Sequence, residues 1–183
     1  MRIALDAMGT DSAPHSEVEG AIRALETSVD GFEVLLVGDE DRIRSELSLY
    51  SGYPPDRISV IHAPDRIESG ESPATAVRRK PTSSIVVGVK LQKEGKADAF
   101  VSGGSTGAVM AASSLFLRRL TGVDRPAIGA ILPTSSGPTL MLDAGANVDC
   151  KTQNLLQFAH LGQIYAQDLM WVENLRIGLL NIG

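Results

Sequence analysis

The stretch Ala99-Phe100-Val101-Ser102-Gly103-Gly104-Ser105-Thr106-Gly107-Ala108 decides the reading of the chain: a short apolar run, then glycines and hydroxyl residues, then a helix-like run from Ala108 to Leu120. A strand that ends in glycines where a helix begins leaves backbone N–H groups without helical partners, which suits the holding of an oxyanion. Leu142-Asp143-Ala144-Gly145-Ala146-Asn147-Val148-Asp149 repeats the pattern after a second strand-like run. Strand-to-helix turns of this kind belong to layered α/β/α proteins with a mainly parallel sheet.

Toward the amino terminus the alternation continues. Ile3-Ala4-Leu5 ends at Asp6 and opens into Met8-Gly9-Thr10-Asp11-Ser12-Ala13-Pro14, a strand exit followed by a proline suited to a first helical turn. Val18, Ala21, Ile22 and Leu25 then recur at helical spacing, and Glu33 to Val37 reads as a strand. A polar helix from Asp39 to Leu47, a strand from Ile58 to Ile61 and a short helix or loop from Pro73 to Lys80 follow. The next helix runs from Ser83 or Ser84 to Glu94, where the serine pair offers capping hydroxyls.

Toward the carboxyl terminus, Arg118 and Arg119 suit the end of a helix that Gly122 stops. Ala127 to Leu132 and Thr139 to Leu142 read as strands. Thr152 to Leu169 reads as a helix with Leu155, Phe158, Ala159, Gly162, Tyr165 and Leu169 on one face, and Trp171 and Met170 as core or interface. The run Ile177-Gly178-Leu179-Leu180-Asn181-Ile182-Gly183 reads as a buried strand with no loop after it, so the chain looks cut short; the competing reading is a chain that simply ends on a docked strand. No linker or repeat divides residues 1–183, which are read as a single α/β domain.

Composition narrows the function. Of 183 residues, 43% are hydrophobic but only 4% aromatic, with 18 glycines, so the core is built from small and branched aliphatics. A formal net charge of −5 argues against nucleic acid as a partner, because a phosphodiester backbone needs a basic footprint. The lone cysteine, Cys150, cannot form an internal disulfide, which fits a reducing cytoplasm. Its neighbour Asp149 disfavours a thiolate nucleophile.

The Ser102–Gly107 turn has glycines that permit positive φ and close approach, hydroxyls able to donate, and a helix start that favours negative charge. The competing reading is a capped turn in which Ser105 or Thr106 serves only its own helix. No Gly-Lys-Ser/Thr follows, and Asp6 to Asp11 lacks the Gly-x-Gly-x-x-Gly pattern, so nucleotide-binding readings weaken. In the second turn Asp143, Asn147 and Asp149 could orient a polar substrate or stabilise developing charge, or simply make an Asx-rich turn. Asp6 and Asp11 are too ordinary a pair to assign a metal, and His15, His62 and His160 form no visible Ser-His-Asp set. Arg78-Arg79-Lys80 is a solvated patch or a dock for an acidic carrier or phosphate.

Taken in order, Ile3-Ala4-Leu5-Asp6-Ala7-Met8-Gly9, Ala76-Val77-Arg78-Arg79-Lys80, Ser83-Ser84, Lys93 to Ser102, Thr106-Gly107-Ala108, Asp124-Arg125-Pro126, Leu142-Asp143, Gly145 to Asp149 and Leu179 to Gly183 closely resemble the amino-terminal part of the PlsX family of phosphate acyltransferases. The family usually shows Met-Gly-Gly-Asp where this chain has Met8-Gly9-Thr10-Asp11, and Ser-Ala-Gly-Asn-Thr-Gly where it has Ser102 to Gly107, so Ser105 removes an amide. The resemblance implies transfer of a fatty acyl group from acyl carrier protein to inorganic phosphate for phospholipid synthesis, on a fold shared with phosphotransacetylases and the isocitrate dehydrogenase group. It implies no cofactor, a cytoplasmic homodimer peripheral to the inner face of the membrane, and a functional link to a membrane glycerol-3-phosphate acyltransferase.

On that resemblance, phosphate or substrate binding falls to Asp6, Met8, Gly9 and Asp11 together with Ser102, Gly103, Gly104, Ser105, Thr106 and Gly107. Asp143, Asn147 and Asp149 take the catalytic, orienting part. Arg78, Arg79, Lys80, Arg118 and Arg119 are candidates for carrier docking. Two alternatives stand beside this reading: a phosphotransacetylase-like enzyme using acyl-CoA, and a non-catalytic folding or dimerisation fragment.

Overall fold

The computed structural model describes residues 1–28, 31–135 and 137–181. The chain divides into two compact units, Met1–Arg118 and Arg119–Gly183.

The first unit is a parallel four-stranded sheet wrapped by helices. Its elements run β1 (Arg2–Asp6), α1 (His15–Thr27), β2 (Glu33–Gly38), α2 (Glu40–Leu47), a 3₁₀ turn at Pro55–Arg57, β3 (Ile58–His62), α3 (Pro73–Arg79), α4 (Ser84–Lys93), β4 (Ala99–Val101) and α5 (Thr106–Phe116). The strand order is β3-β2-β1-β4, with Ala4 opposite Leu35 on one side and Phe100 on the other. Successive strands step outward from β1 to β3, and the chain then returns to lay β4 on the free side of β1. That reversal between β1 and β4 is the topological switch point, where open α/β sheets bind ligands beyond their strand ends.

Alternation along β2 explains the layering. Val34 and Leu36 join Val18, Ala21, Ile22 and Leu25 of α1 and Ile43 and Leu47 of α2 in one apolar cluster. Leu35 and Val37 face the other way, toward Ala4, Ala63 and Ala97, with Val87 and Leu91 of α4 packed against them. Gly88 lets α4 approach the sheet, since a Cβ there would lie 2.2 Å from the Phe100 ring. A third cluster joins α3, α4 and α5 through Val77, Ile85, Val86, Val89, Ala108 and Ala112.

Local chemistry sets most boundaries. Asp39 caps α2 by accepting from the Arg42 N–H at 3.0 Å. The Ser83-Ser84 pair does not cap α4 with a hydroxyl as expected: the Ser83 Oγ is buried without a hydrogen-bond partner. The Asp65 carbonyl accepts the Ser84 N–H instead, at 3.2 Å, so a neighbouring backbone does the capping. α5 ends at Phe116 rather than Leu120, because Arg118 adopts a left-handed φ of 70° and its N–H turns back to the Ser113 carbonyl.

The second unit holds an antiparallel hairpin, β5 (Ala130–Thr134) with β6 (Gly137–Met141), followed by α6 (Thr152–Asp168). The strand expected from Ala127 starts later because Ile128 is taken by the turn beyond β6: its N–H donates to Asp143 and its carbonyl accepts the Ala144 N–H. On α6 the buried positions are Asn154, Phe158 and Ala166, while Leu155, Tyr165 and Leu169 of the expected apolar face are exposed. Trp171 is 83% exposed, so it is not core. Residues 177–181 form no strand and Leu179 and Leu180 are exposed: an apolar run becomes a strand only where another edge pairs with it, and none among the described residues does. Ile182 and Gly183 lie outside the described residues. Among the described residues, no helix is long and apolar enough to cross a membrane.

Candidate functional site

The carboxyl ends of β1 and β4 bring the Met8–Asp11 loop against the Ser102–Gly107 turn. The approach is close enough to require glycine. A Cβ on Gly9 would lie 2.8 Å from the Gly104 nitrogen, and a Cβ on Gly103 would lie 2.8 Å from the Thr10 methyl. Neither Gly9 nor any glycine of the turn has positive φ, so close approach is what these positions demand, not left-handed backbone.

Asp6 sits beneath this contact with 1% of its surface exposed. The Ser102 hydroxyl donates to its Oδ2 at 2.6 Å and the Met8 N–H to its Oδ1 at 3.1 Å. Ser102 Oγ in turn accepts the Gly104 N–H at 3.0 Å, so one N–H of the turn is spent internally. Met8 is buried, with its side chain against Gly38. Asp11 is exposed.

Ser105 is the N-cap of α5 and accepts the Ala108 N–H at 3.3 Å, which is the capping role weighed against anion binding. Capping by one side chain still leaves the first positions of the helix open. The N–H groups of Thr106 and Gly107 and the Thr106 hydroxyl have no hydrogen-bond partner among the described residues, and both residues are exposed. The turn therefore caps its own helix and offers donors at the same time.

Sequence reasoning missed the grip on Thr10. Its N–H donates to Glu17 Oε1 at 2.8 Å and its carbonyl accepts from Arg66 Nη2 at 3.2 Å. Glu17 occupies the third position of α1, where a capping-box acid stands, and this was the one readable signal. It reaches the loop instead of its own cap.

The basic residues differ in availability. Lys80 Nζ is tied to Glu71 at 2.6 Å and to the Arg66 carbonyl at 2.7 Å, and this ion pair holds the Glu71 carboxyl below its ordinary pKa. Arg78 and Arg79, in the last turn of α3, and Arg118 are exposed. Arg119 is in the second unit and donates to the Asp124 carbonyl.

In the second unit Asp143 and Asn147 form a closed network. Asp143 accepts from the Ile128 N–H (2.7 Å), the Asn147 N–H (2.7 Å) and the Asn147 carboxamide (3.1 Å), and that carboxamide also donates to the Pro126 carbonyl at 2.9 Å. Burial pushes the Asp143 carboxyl upward, but the Ile128, Asn147 and Ala146 donors outweigh it and hold the pKa below the ordinary value. Gly145 supplies the positive φ, 96°, on which this turn depends. Asp149 is exposed; its carbonyl accepts from Arg125 at 2.7 Å. This is the Asx-rich turn considered above, with the Asp143 and Asn147 side chains engaged by their own loop.

Comparison with known proteins converges on one family. A family model described as "Fatty acid synthesis protein" matches residues 1–183. Proteins named phosphate acyltransferase from Heliobacterium modesticaldum, Desulfitobacterium hafniense and Salinibacter ruber are 54%, 52% and 48% identical, each over 100% of this chain and 54% of the relative. The chain thus spans about half the length of these curated relatives. The EutD phosphotransacetylase from Staphylococcus aureus has the same fold, with a TM-score of 0.60 and 20% identity over 87% of this chain and 50% of that one. The two loops that meet at the switch point are therefore those of a chain that belongs to the fatty acid synthesis protein family, among relatives named phosphate acyltransferases.

Proposed function

We propose that this chain supplies the phosphate-holding part of an enzyme that transfers a fatty acyl group from acyl carrier protein to inorganic phosphate. A phosphate oxygen attacks the thioester carbonyl carbon, the new C–O bond forms, the C–S bond breaks, and the carrier thiol leaves with a proton. The products are an acyl phosphate, for use in phospholipid synthesis, and free carrier. The observation that carries the reading is that the Thr106 and Gly107 N–H groups and the Thr106 hydroxyl, at the β1/β4 switch point, have no partner among the described residues. Preorganised donors of this kind hold the anion in place for direct attack, so positioning and charge stabilisation supply most of the rate.

Exposed Arg78, Arg79 and Arg118 are the proposed contacts for the acidic carrier, whereas Lys80 is already paired. The reading extends to a cytoplasmic homodimer that works at the inner face of the membrane beside a glycerol-3-phosphate acyltransferase. The test is acyl phosphate formation by this chain and by the full-length protein, with acyl carrier protein and acyl-CoA donors side by side. Preference of the full-length protein for the carrier donor supports the proposal. Preference for acyl-CoA replaces it with a phosphotransacetylase. Thr106 variants of the full-length protein that leave the phosphate KM unmoved reduce residues 1–183 to a folding or dimerisation part.

A further inference from the structure

We propose that Asp6 is a positioning residue that acts on phosphate only through Ser102, and not a phosphate ligand. The inference rests on the phosphate reading above. Both Asp6 oxygens are acceptors already engaged, by the Ser102 hydroxyl and the Met8 N–H. The side chain is 1% exposed and roofed by backbone: a Cβ on Gly9 or Gly104 would fall 3.0 or 3.3 Å from Oδ2. An anion cannot reach it past two glycine Cα atoms, and two acceptors offer each other no hydrogen bond.

What Asp6 does is fix the direction of Ser102. A hydroxyl has one proton, and this one is committed to Asp6 at 2.6 Å. The lone pairs of Ser102 are thereby turned toward the Gly104 N–H, which they accept at 3.0 Å. That bond sets the Gly103-Gly104 peptide, and with it the start of α5, where the Thr106 and Gly107 donors lie. A residue at the end of β1 thus sets the shape of a turn 96 positions away. Burying a carboxylate under a site for an anion is reasonable only because its charge is spent on two local donors.

The test is a double-mutant cycle in the full-length enzyme, reading KM for inorganic phosphate and for the acyl donor separately. Asp6→Asn and Ser102→Ala are each expected to raise the phosphate KM about tenfold, the effect of losing one hydrogen bond to a charged group. The acyl-donor KM stays in place. Ser102→Thr, which keeps the hydroxyl, restores the parent value. Because both residues act through one contact, the double variant is expected to be no worse than the worse single one. Multiplication to about a hundredfold means that Asp6 meets phosphate independently and overturns the proposal, as does equal movement of the acyl-donor KM. If Asp6→Asn does not fold, Ser102→Ala with its threonine rescue decides alone, and failure of threonine to rescue overturns the proposal. Variants at Thr106 that leave the phosphate KM untouched defeat the phosphate reading itself; if they raise it while the cycle multiplies, only the Asp6 assignment falls.

Discussion

Gly9→Ala inserts one methyl group where the two loops of the candidate site touch. The added carbon would lie 2.8 Å from the Gly104 nitrogen, 3.0 Å from Asp6 Oδ2 and 3.2 Å from the Gly103 carbonyl carbon. Ordinary contact needs about 3.5–4.0 Å, so all three neighbours are too near and two of them are backbone. Relief requires the Met8–Asp11 loop to lift from the Ser102–Gly107 turn, against the Ser102 to Asp6 bond and the Glu17 and Arg66 bonds that hold Thr10. Overpacking of this kind costs about 1–3 kcal/mol. Gly20 is the control: it lies exposed in α1 and its Cβ would meet nothing within 4 Å. Alanine there stabilises by about 1 kcal/mol through helix propensity. The two substitutions should therefore separate by about 2–4 kcal/mol in urea denaturation followed by far-ultraviolet circular dichroism, with unchanged m values. If Gly9→Ala falls within about 0.5 kcal/mol of Gly20→Ala, the loops do not meet as described.

Three further outcomes follow from the networks. Asp143→Ala leaves the Ile128 and Asn147 N–H groups without their acceptor and is expected to cost about 1–3 kcal/mol in urea denaturation, whereas exposed Asp149→Ala stays within about 0.5 kcal/mol; equal costs contradict the network. Because the folded pKa of Asp143 is lowered, its contribution is present above the unfolded value of about 3.9 and lost as pH falls through the folded one, so Asp143→Asn should flatten the acid limb of stability. His15 shows the opposite sign. The hydrogen bond and charge of Glu46, 2.8 Å away, raise its pKa, so its contribution is complete below the unfolded value of about 6.5 and lost as pH rises through the folded one. Glu46→Gln should lower the His15 titration midpoint measured by NMR; an unchanged midpoint removes Glu46 as the cause.

Legibility followed range along the chain. The β4-turn-α5 passage could be read because strand, glycine turn, capping serine and helix are contiguous, and β2 could be read because Val34 to Val37 is apolar on both faces, as a central parallel strand must be. The Asp6 to Ser102 bond, the Gly9 to Gly104 approach and the Arg66 to Thr10 bond join residues far apart in sequence, and no local pattern announces them. The glycines of the turn were legible as a requirement for glycine, but not for which reason: sequence cannot separate left-handed φ from close approach. In the second unit, periodicity placed α6 but overstated its buried face, because a stripe is buried only where something covers it.

Thr106 tests the central claim most directly, because it is the first residue of α5 and proline is tolerated there. The preceding Ser105, at φ −62° and ψ 109°, already has the extended backbone that a following proline requires. Thr106→Pro therefore removes one N–H and the hydroxyl while keeping the helix, and Thr106→Ala removes the hydroxyl alone. In the full-length enzyme, Thr106→Pro is expected to raise the phosphate KM about tenfold above that of Thr106→Ala, with the acyl-donor KM unchanged. Equal phosphate KM values for the two variants and the parent would contradict the placement of phosphate at this turn.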